Sequence, residues 1–168
     1  MRKNQITKWG SELAGEFLVV LLVPLIVPFL LLRLGFGILL HMMVWVFWCP
    51  RGKYILFVYS DSPIWKDYIE KNILPRLQTC AVILNWSQRK SWPRWFSLPV
   101  MLFNFFGGRR KFNPIGIVFH PLKLRKVFRF WEPFQEYKHG NSQPLAEIQS
   151  QFLGFVEAVK QRRLSPSS

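Results

Sequence analysis

Acidic residues are scarce in this chain. Its 168 residues include 9 Asp and Glu against 23 Lys and Arg, which gives a formal net charge of +14 at pH 7. Between Lys71 and Trp131 there is no Asp or Glu at all. A charge balance of one sign is typical of proteins that bind an anionic partner, such as lipid headgroups, a phosphorylated ligand or nucleic acid.

Cysteines and the common catalytic motifs are also lacking. Cys49 and Cys80 are too few for a disulfide framework or a complete metal site. The chain contains no phosphate-binding G-x-x-x-x-G-K-[ST] loop, no G-x-G-x-x-G, no G-x-S-x-G and no H-E-x-x-H. We therefore predict neither a metal nor a cofactor, although the missing motifs do not exclude an enzyme.

Apolar residues, in contrast, are concentrated near the N-terminus. Residues 17–48 read FLVVLLVPLIVPFLLLRLGFGILLHMMVWVFW, with Arg33 as the only formal charge. An apolar run of this kind predicts a membrane segment. As one straight helix it would extend roughly 48 Å, well beyond the ~30 Å hydrocarbon core. Two alternatives follow: one long span, or a helical hairpin with a polar bend at Arg33, Gly35 and Gly37.

Cations flank both ends of the apolar run, which by the positive-inside rule predicts that both ends are cytoplasmic. They are Arg2, Lys3 and Lys8 before it, and Arg51, Lys53 and Lys66 after it. We therefore predict an integral membrane protein whose C-terminal domain lies on the cytoplasmic side. Tryptophan is typical of the boundary between lipid and water. The tryptophans predicted at this boundary are Trp45, Trp48, Trp92 and Trp95.

Beyond residue 53 the chain alternates β-rich and helical patterns. The run at 54–59, YILFVY, is apolar throughout, which is typical of a strand buried on both faces. A helical pattern follows from Pro63 to Leu77 and leads to a second strand at 81–84, so these two strands are predicted to be parallel. Further strands are predicted at 115–119 and, at a sheet edge, at 127–131, and a last helix at 144–160.

These elements predict an α/β fold. An N-terminal transmembrane or re-entrant helical segment precedes a small, mostly parallel sheet of about four strands flanked by helices. The predicted organisation is a basic flank at 1–16, the membrane segment at 17–48, a linker at 49–53, a cytosolic α/β domain at 54–160 and a disordered tail at 161–168.

Residues 92–106, WPRWFSLPVMLFNFF, have two main interpretations, besides that of a further dip into the membrane. A tryptophan-rich apolar segment with basic ends is typical of an anchor in the membrane interface. The same pattern fits a helix that connects two strands and packs in the core. Cations surround this segment, and those predicted to bind an anion or lipid are Arg89, Lys90, Arg94, Arg109, Arg110, Lys111, Lys123, Arg125 and Lys126.

Polar residues follow the predicted strands. In an open parallel sheet, ligands bind beyond the carboxyl ends of the strands. Ser60, Asp61, His120 and Glu132 occupy such ends and are the catalytic candidates, because together they would supply a nucleophile, a base and an acid. The same stretch also has a structural interpretation, in which Ser62 caps the following helix and Asp61 complements its positive end. Ser60 alone lacks a structural role.

The sequence therefore predicts a membrane-anchored binding module that recognises anionic lipid or a protein partner, with a homo-oligomer also considered. The alternative is a membrane-bound enzyme or nucleotide-binding domain that acts on a phosphorylated or lipid-linked substrate. Nucleic acid is not favoured as a partner, because a membrane tether makes lipid the nearer anion.

Overall fold

The computed structural model of the chain describes residues 23–24, 26–92, 97–108, 112–120 and 124–164. It divides into two units, Met1–Leu39 and Leu40–Ser168. Within the described residues, one helix, α1 (Ile26–Arg51), is long and apolar enough to cross a membrane.

Helix α1 is continuous through Pro28, Arg33, Gly35 and Gly37. The polar bend that the hairpin alternative placed at Arg33–Gly37 is therefore wrong; residues 17–22 of the apolar run lie outside the described part. Towards its end α1 becomes π-helical at Val44–Trp48 and then 3₁₀-helical at Cys49–Arg51.

The last turns of α1 belong to the second unit, because Leu40, Val44 and Trp48 are buried in its hydrophobic core. These residues recur every four positions, the spacing of one helix face. The domain thus begins well before residue 54. The end of the predicted membrane segment therefore packs on protein. The sequence did not show this, because hydrophobicity alone does not distinguish a core-facing side chain from a lipid-facing one.

A four-stranded sheet with the order β2-β1-β3-β4 forms the centre of the domain. Its strands are β1 (Ile55–Tyr59), β2 (Ala81–Asn85), β3 (Ile115–Val118) and β4 (Lys126–Arg129). The α/β class, the parallel β1–β2 pair and the edge position of β4 are confirmed. A mostly parallel sheet is wrong, because β3 pairs antiparallel with both β1 and β4.

The antiparallel pairing of β4 with β3 has a simple cause. A parallel pair needs a crossover of about a dozen residues or more, whereas only residues 119–125 join β3 to β4. The central strand β3 is buried on both faces, as a parallel strand would be, so its apolar sequence alone does not indicate its direction.

Helices cover both faces of the sheet. On one face Phe152 of α6 (Gln143–Leu164) packs its ring 5.9 Å from that of Phe57 and 5.1 Å from that of Phe128. The same side holds α2 (Lys66–Asn72), α3 (Leu74–Leu77) and α5 (Trp131–Lys138). On the other face, Trp48 of α1 and Phe106 of α4 (Leu98–Phe106) both contact Phe119.

The core interpretation of residues 92–106 is supported where the structure describes them. Leu102, Phe103 and Phe106 of α4 are buried, and Asn104 is its exposed residue. Trp92 stacks edge-on against Trp86 at the end of the 3₁₀-helix Trp86–Ser91. Residues 93–96 lie outside the described part.

The last helix is confirmed and longer than expected. Helix α6 continues to Leu164 and so includes the first four residues of the tail predicted to be disordered at 161–168. Residues 165–168 are not described.

Candidate functional site

Polar side chains join the carboxyl ends of β1 and β2. Asp61 accepts a hydrogen bond from Asn85 Nδ2 at 2.9 Å and forms an ion pair with Lys66 at 3.2 Å. The backbone N–H of Asp61 donates to Ser87 Oγ at 2.9 Å. The hydrogen bond from Asn85 lowers the pKa of Asp61, and Lys66 lowers it further. These contacts tie the two turns together at one end of the parallel pair.

Ser60 and Ser62 both have structural contacts. The Trp65 indole N–H donates to Ser60 Oγ at 3.3 Å, and Trp65 itself is buried. Ser62 Oγ accepts from the N–H of Ile64, and its carbonyl accepts from the N–H of Lys66 at 2.9 Å. The prediction that Ser62 caps the following helix is wrong, because α2 begins only at Lys66 with Trp65 at its N-cap, and Ser62 instead holds the turn at residues 63–65. Ser60 therefore has a structural role as the acceptor for the Trp65 indole, which the sequence did not reveal.

The four catalytic candidates do not meet. Ser60 and Asp61 follow β1, and Glu132 follows β4, whose last residue lies beside Ile115 at the same end of the sheet. His120 lies at the opposite end, because antiparallel β3 places Val118 beside Ile55, the first residue of β1. The expectation that these residues share one strand-end site is wrong, since it assumed a parallel β3.

The predicted anion-binding cations also separate. Arg89 and Lys90 follow β2 at the carboxyl end of β1, whereas Lys126 begins β4 beside Val118, at the amino end of β1. Arg125 lies with Lys126, and its guanidinium is 3.9 Å from the centre of the Phe106 ring. The rest of the predicted set falls outside the described residues: Arg94, Arg109, Arg110, Lys111 and Lys123.

Further cations lie at the amino end of β1. Lys53 comes two residues before β1 and donates to the Gln78 carbonyl at 2.7 Å. Arg163 of α6 donates to the Cys49 carbonyl at 2.7 Å and lies 5.0 Å over the Tyr54 ring. Arg51 donates to the Phe47 carbonyl at 2.7 Å, in the last turn of α1. We call the surface formed by Arg51, Lys53, Arg125, Lys126 and Arg163 the basic end.

Carboxylates collect instead at the other end of the sheet. Asp61 and Glu132 lie there, as does Glu70, whose carboxylate accepts a 3.3 Å hydrogen bond from Tyr59, the last residue of β1. Burial and then Glu70 raise the pKa of Tyr59. At the basic end, burial raises the pKa of Tyr54, and the nearby Arg163 opposes the shift. The carboxylate near Tyr54 is Glu157 of α6.

The sequence did not indicate that the five cations of the basic end share one surface. The sequence did mark Arg51 and Lys53, but only as flanking charges, and Arg163 had no signal because it lies more than 100 residues from its partner Cys49. Trp48, predicted at the boundary between lipid and water, is buried in the domain and packs on Phe119. Trp45 and Trp92 are half-buried against the core, and Trp95 is not described.

A groove of about 470 Å³ lies between α2, α3 and α6. Its walls include Tyr68, Arg76, Gln149 and Glu157, and the Tyr68 hydroxyl donates to Gln149 Oε1. No His or Cys lines it. Within the described residues, no three His, Cys, Asp or Glu side chains are grouped as a metal site would require. The described lining of the groove therefore contains no such group of metal ligands.

Comparison with protein-family models, with curated proteins and with solved structures found no match to this chain.

Proposed function

We propose that this chain is a membrane-anchored protein whose α/β domain binds the anionic surface of the bilayer through its basic end. The observation that carries the proposal is the position of the cations. The five cations of the basic end share the amino end of β1, whereas the carboxylates of Asp61, Glu70 and Glu132 lie at its carboxyl end.

The exposed surface of α1 supports the anchor. Between Ile26 and Leu39 its apolar side chains are exposed, and Leu32 reaches 74%. Transferring one such side chain from water to an apolar environment is favourable by about 1.5–3 kcal/mol. A contiguous apolar surface of this kind marks contact with lipid or protein. The length and composition of α1 favour lipid.

The basic end supports binding to anionic headgroups. Each cation near the cytoplasmic leaflet gains about 1 kcal/mol, so five cations would contribute at most about 5 kcal/mol. Because cations adjoining a membrane segment favour the cytoplasmic side, Arg51 and Lys53 support a cytoplasmic domain. The sequence also allowed a protein partner in place of lipid, but no contact among the described residues favours one.

We do not adopt the enzyme alternative. It rested on a polar set that the sheet divides between its two ends, and Ser60, Asp61 and Ser62 already hold the β1 and β2 turns together.

Lysine accessibility tests the proposal. The full-length chain is inserted into nanodiscs of phosphatidylcholine alone or with phosphatidylserine, and its lysines are acetylated and quantified by mass spectrometry. We expect Lys53 and Lys126 to be acetylated more slowly in the anionic discs, because headgroup phosphates would cover them. Lys90, at the opposite end of the sheet, is the internal reference. Added salt should remove the difference, because ions screen the attraction.

Matched charge reversals complete the test. Lys126→Glu should abolish the extra protection of Lys53, whereas Lys90→Glu, with the same change in net charge, should leave it unaltered. Equal acetylation of Lys53 and Lys126 in both kinds of disc, or equal protection of Lys90, would refute the proposal.

A further inference from the structure

Leu124 is an exposed apolar side chain that the fold does not explain. It is 88% exposed, whereas the other exposed large apolar side chains described after residue 51, Ile83 and Tyr137, are 37% and 39% exposed. A single exposed leucine is ordinary on a protein surface. What distinguishes Leu124 is its surroundings.

Two cations are held beside it on aromatic rings. The guanidinium of Arg125 lies 3.9 Å from the centre of the Phe106 ring. Lys126 Nζ lies 5.0 Å from the centre of the Phe128 ring and 4.8 Å from that of Phe155. Such cation–π contacts favour a fixed position for each charge. Leu124 is therefore an exposed apolar side chain followed directly by two cations in favoured positions, and we call it the apolar tip.

The tip lies near the last part of α1. Phe106, under Arg125, packs its ring 5.9 Å from Phe119, and Phe119 in turn lies 5.7 Å from the His41 ring. His41 follows Leu40, the first residue of the domain, and the chain before Leu40 exposes its apolar side chains.

We infer that Leu124 inserts into the interface of an anionic bilayer while Arg125 and Lys126 bind headgroup phosphates. An apolar side chain flanked by cations is the combination that binds this interface, since burial and charge attraction add. The inference rests on the proposed function and deepens it, because it names the side chain that enters the lipid and the groups that the cations contact.

Site-specific fluorescence tests the insertion. Leu124→Cys in the full-length chain is labelled with the polarity-sensitive dye NBD and placed in nanodiscs with or without phosphatidylserine. Some of the lipid carries a nitroxide quencher near its headgroup. Asn141→Cys is the matched exposed control. Asn141 precedes the 22-residue α6, which extends about 33 Å and carries Arg163 of the basic end in its last turn. Asn141 therefore lies at the end of α6 that is far from the basic end. Cys49 and Cys80 are buried, and the labelled wild-type chain corrects for any dye that they bind.

We expect the dye at position 124 to emit at shorter wavelength and to be quenched several-fold more strongly than the dye at 141, but only in anionic discs. Polar emission and no quenching at 124 would overturn the inference. Equal quenching in neutral discs would overturn the role of Arg125 and Lys126. A blue shift in native membranes but not in nanodiscs would overturn it in favour of a protein partner.

A third label separates this inference from the proposed function. Leu32→Cys lies on the exposed surface of α1 and should be quenched by a nitroxide deep in the acyl chains. Quenching at 32 without quenching at 124 would remove the inference and keep the membrane anchor. Absence of quenching at 32 would remove the anchor itself.

Discussion

Gly116 should tolerate no side chain, because it lies under the ring of Phe152. A Cβ at this position would lie 2.8 Å from Cε2 and 3.0 Å from Cζ of Phe152. That ring cannot move aside easily, since Phe57, Phe128 and Phe130 surround it at centroid distances of 5.9, 5.1 and 5.5 Å. Because the ring is confined, we expect the upper part of the cost of overpacking, about 2–3 kcal/mol, of which the loss of glycine's freedom in the unfolded chain offsets about 0.5–1 kcal/mol.

Gly116→Ala should therefore destabilise the domain by about 1–2 kcal/mol, or about 2–8 °C in Tm. The measurement is thermal or urea unfolding of the detergent-solubilised full-length chain, followed by near-ultraviolet circular dichroism. Gly154→Ala is the matched control. Gly154 is exposed on α6, and its Cβ would meet nothing within 4 Å, so alanine should stabilise the helix by about 0.5–1 kcal/mol.

A double mutant identifies the cause. Phe152→Leu removes part of the ring that the new Cβ would meet, so the combined change should cost less than the sum of the two single changes. If Gly116→Ala left stability unchanged, or if the two changes were additive, α6 would not pack on β3 as the structure shows.

The remaining predictions concern the polar turns and Cys80. Asp61→Asn should flatten the acid side of the stability profile: the pKa of Asp61 is lowered in the fold, so its contribution is present above the unfolded-state pKa and is lost as pH falls through the folded one. Melting temperatures measured down the acid range check this, and equal slopes for both proteins would contradict it. Ser60→Ala should cost about 0.5–1.5 kcal/mol in urea unfolding, because it leaves the indole N–H of buried Trp65 without its acceptor; no change would mean that water replaces Ser60. Burial raises the pKa of Cys80, so at neutral pH its thiol should react slowly with iodoacetamide in the folded chain and much faster in urea. Similar rates in both states would show that Cys80 is not buried.

The sequence predicted the elements that depend on local pattern. The apolar run of β1, the parallel crossover to β2 and the stripe of α6 all follow from periodicity and spacing. The turn after β1 has a structural role, but Ser62 holds the turn and does not cap α2, and the role of Ser60 was not predicted. Its partner Trp65 is only five residues away, yet the bond depends on the rotamer of a buried indole, which no pattern reveals. The wrong direction of β3 then misplaced His120, since the end of the sheet at which a residue lies follows from strand direction.

Hydropathy and charge by themselves determined that this chain has an apolar segment long enough to cross a membrane and a large excess of cations. Hydropathy and net charge are sums over the residues and do not depend on the fold. Only the tertiary structure decided where those properties act. In α1 the apolar residues before Leu40 are exposed, whereas Leu40, Val44 and Trp48 near its end face the core. The antiparallel β3 places Arg125 and Lys126 beside Lys53 and Arg163 and leaves Arg89 and Lys90 at the opposite end, because strand pairing joins residues that are distant in the chain.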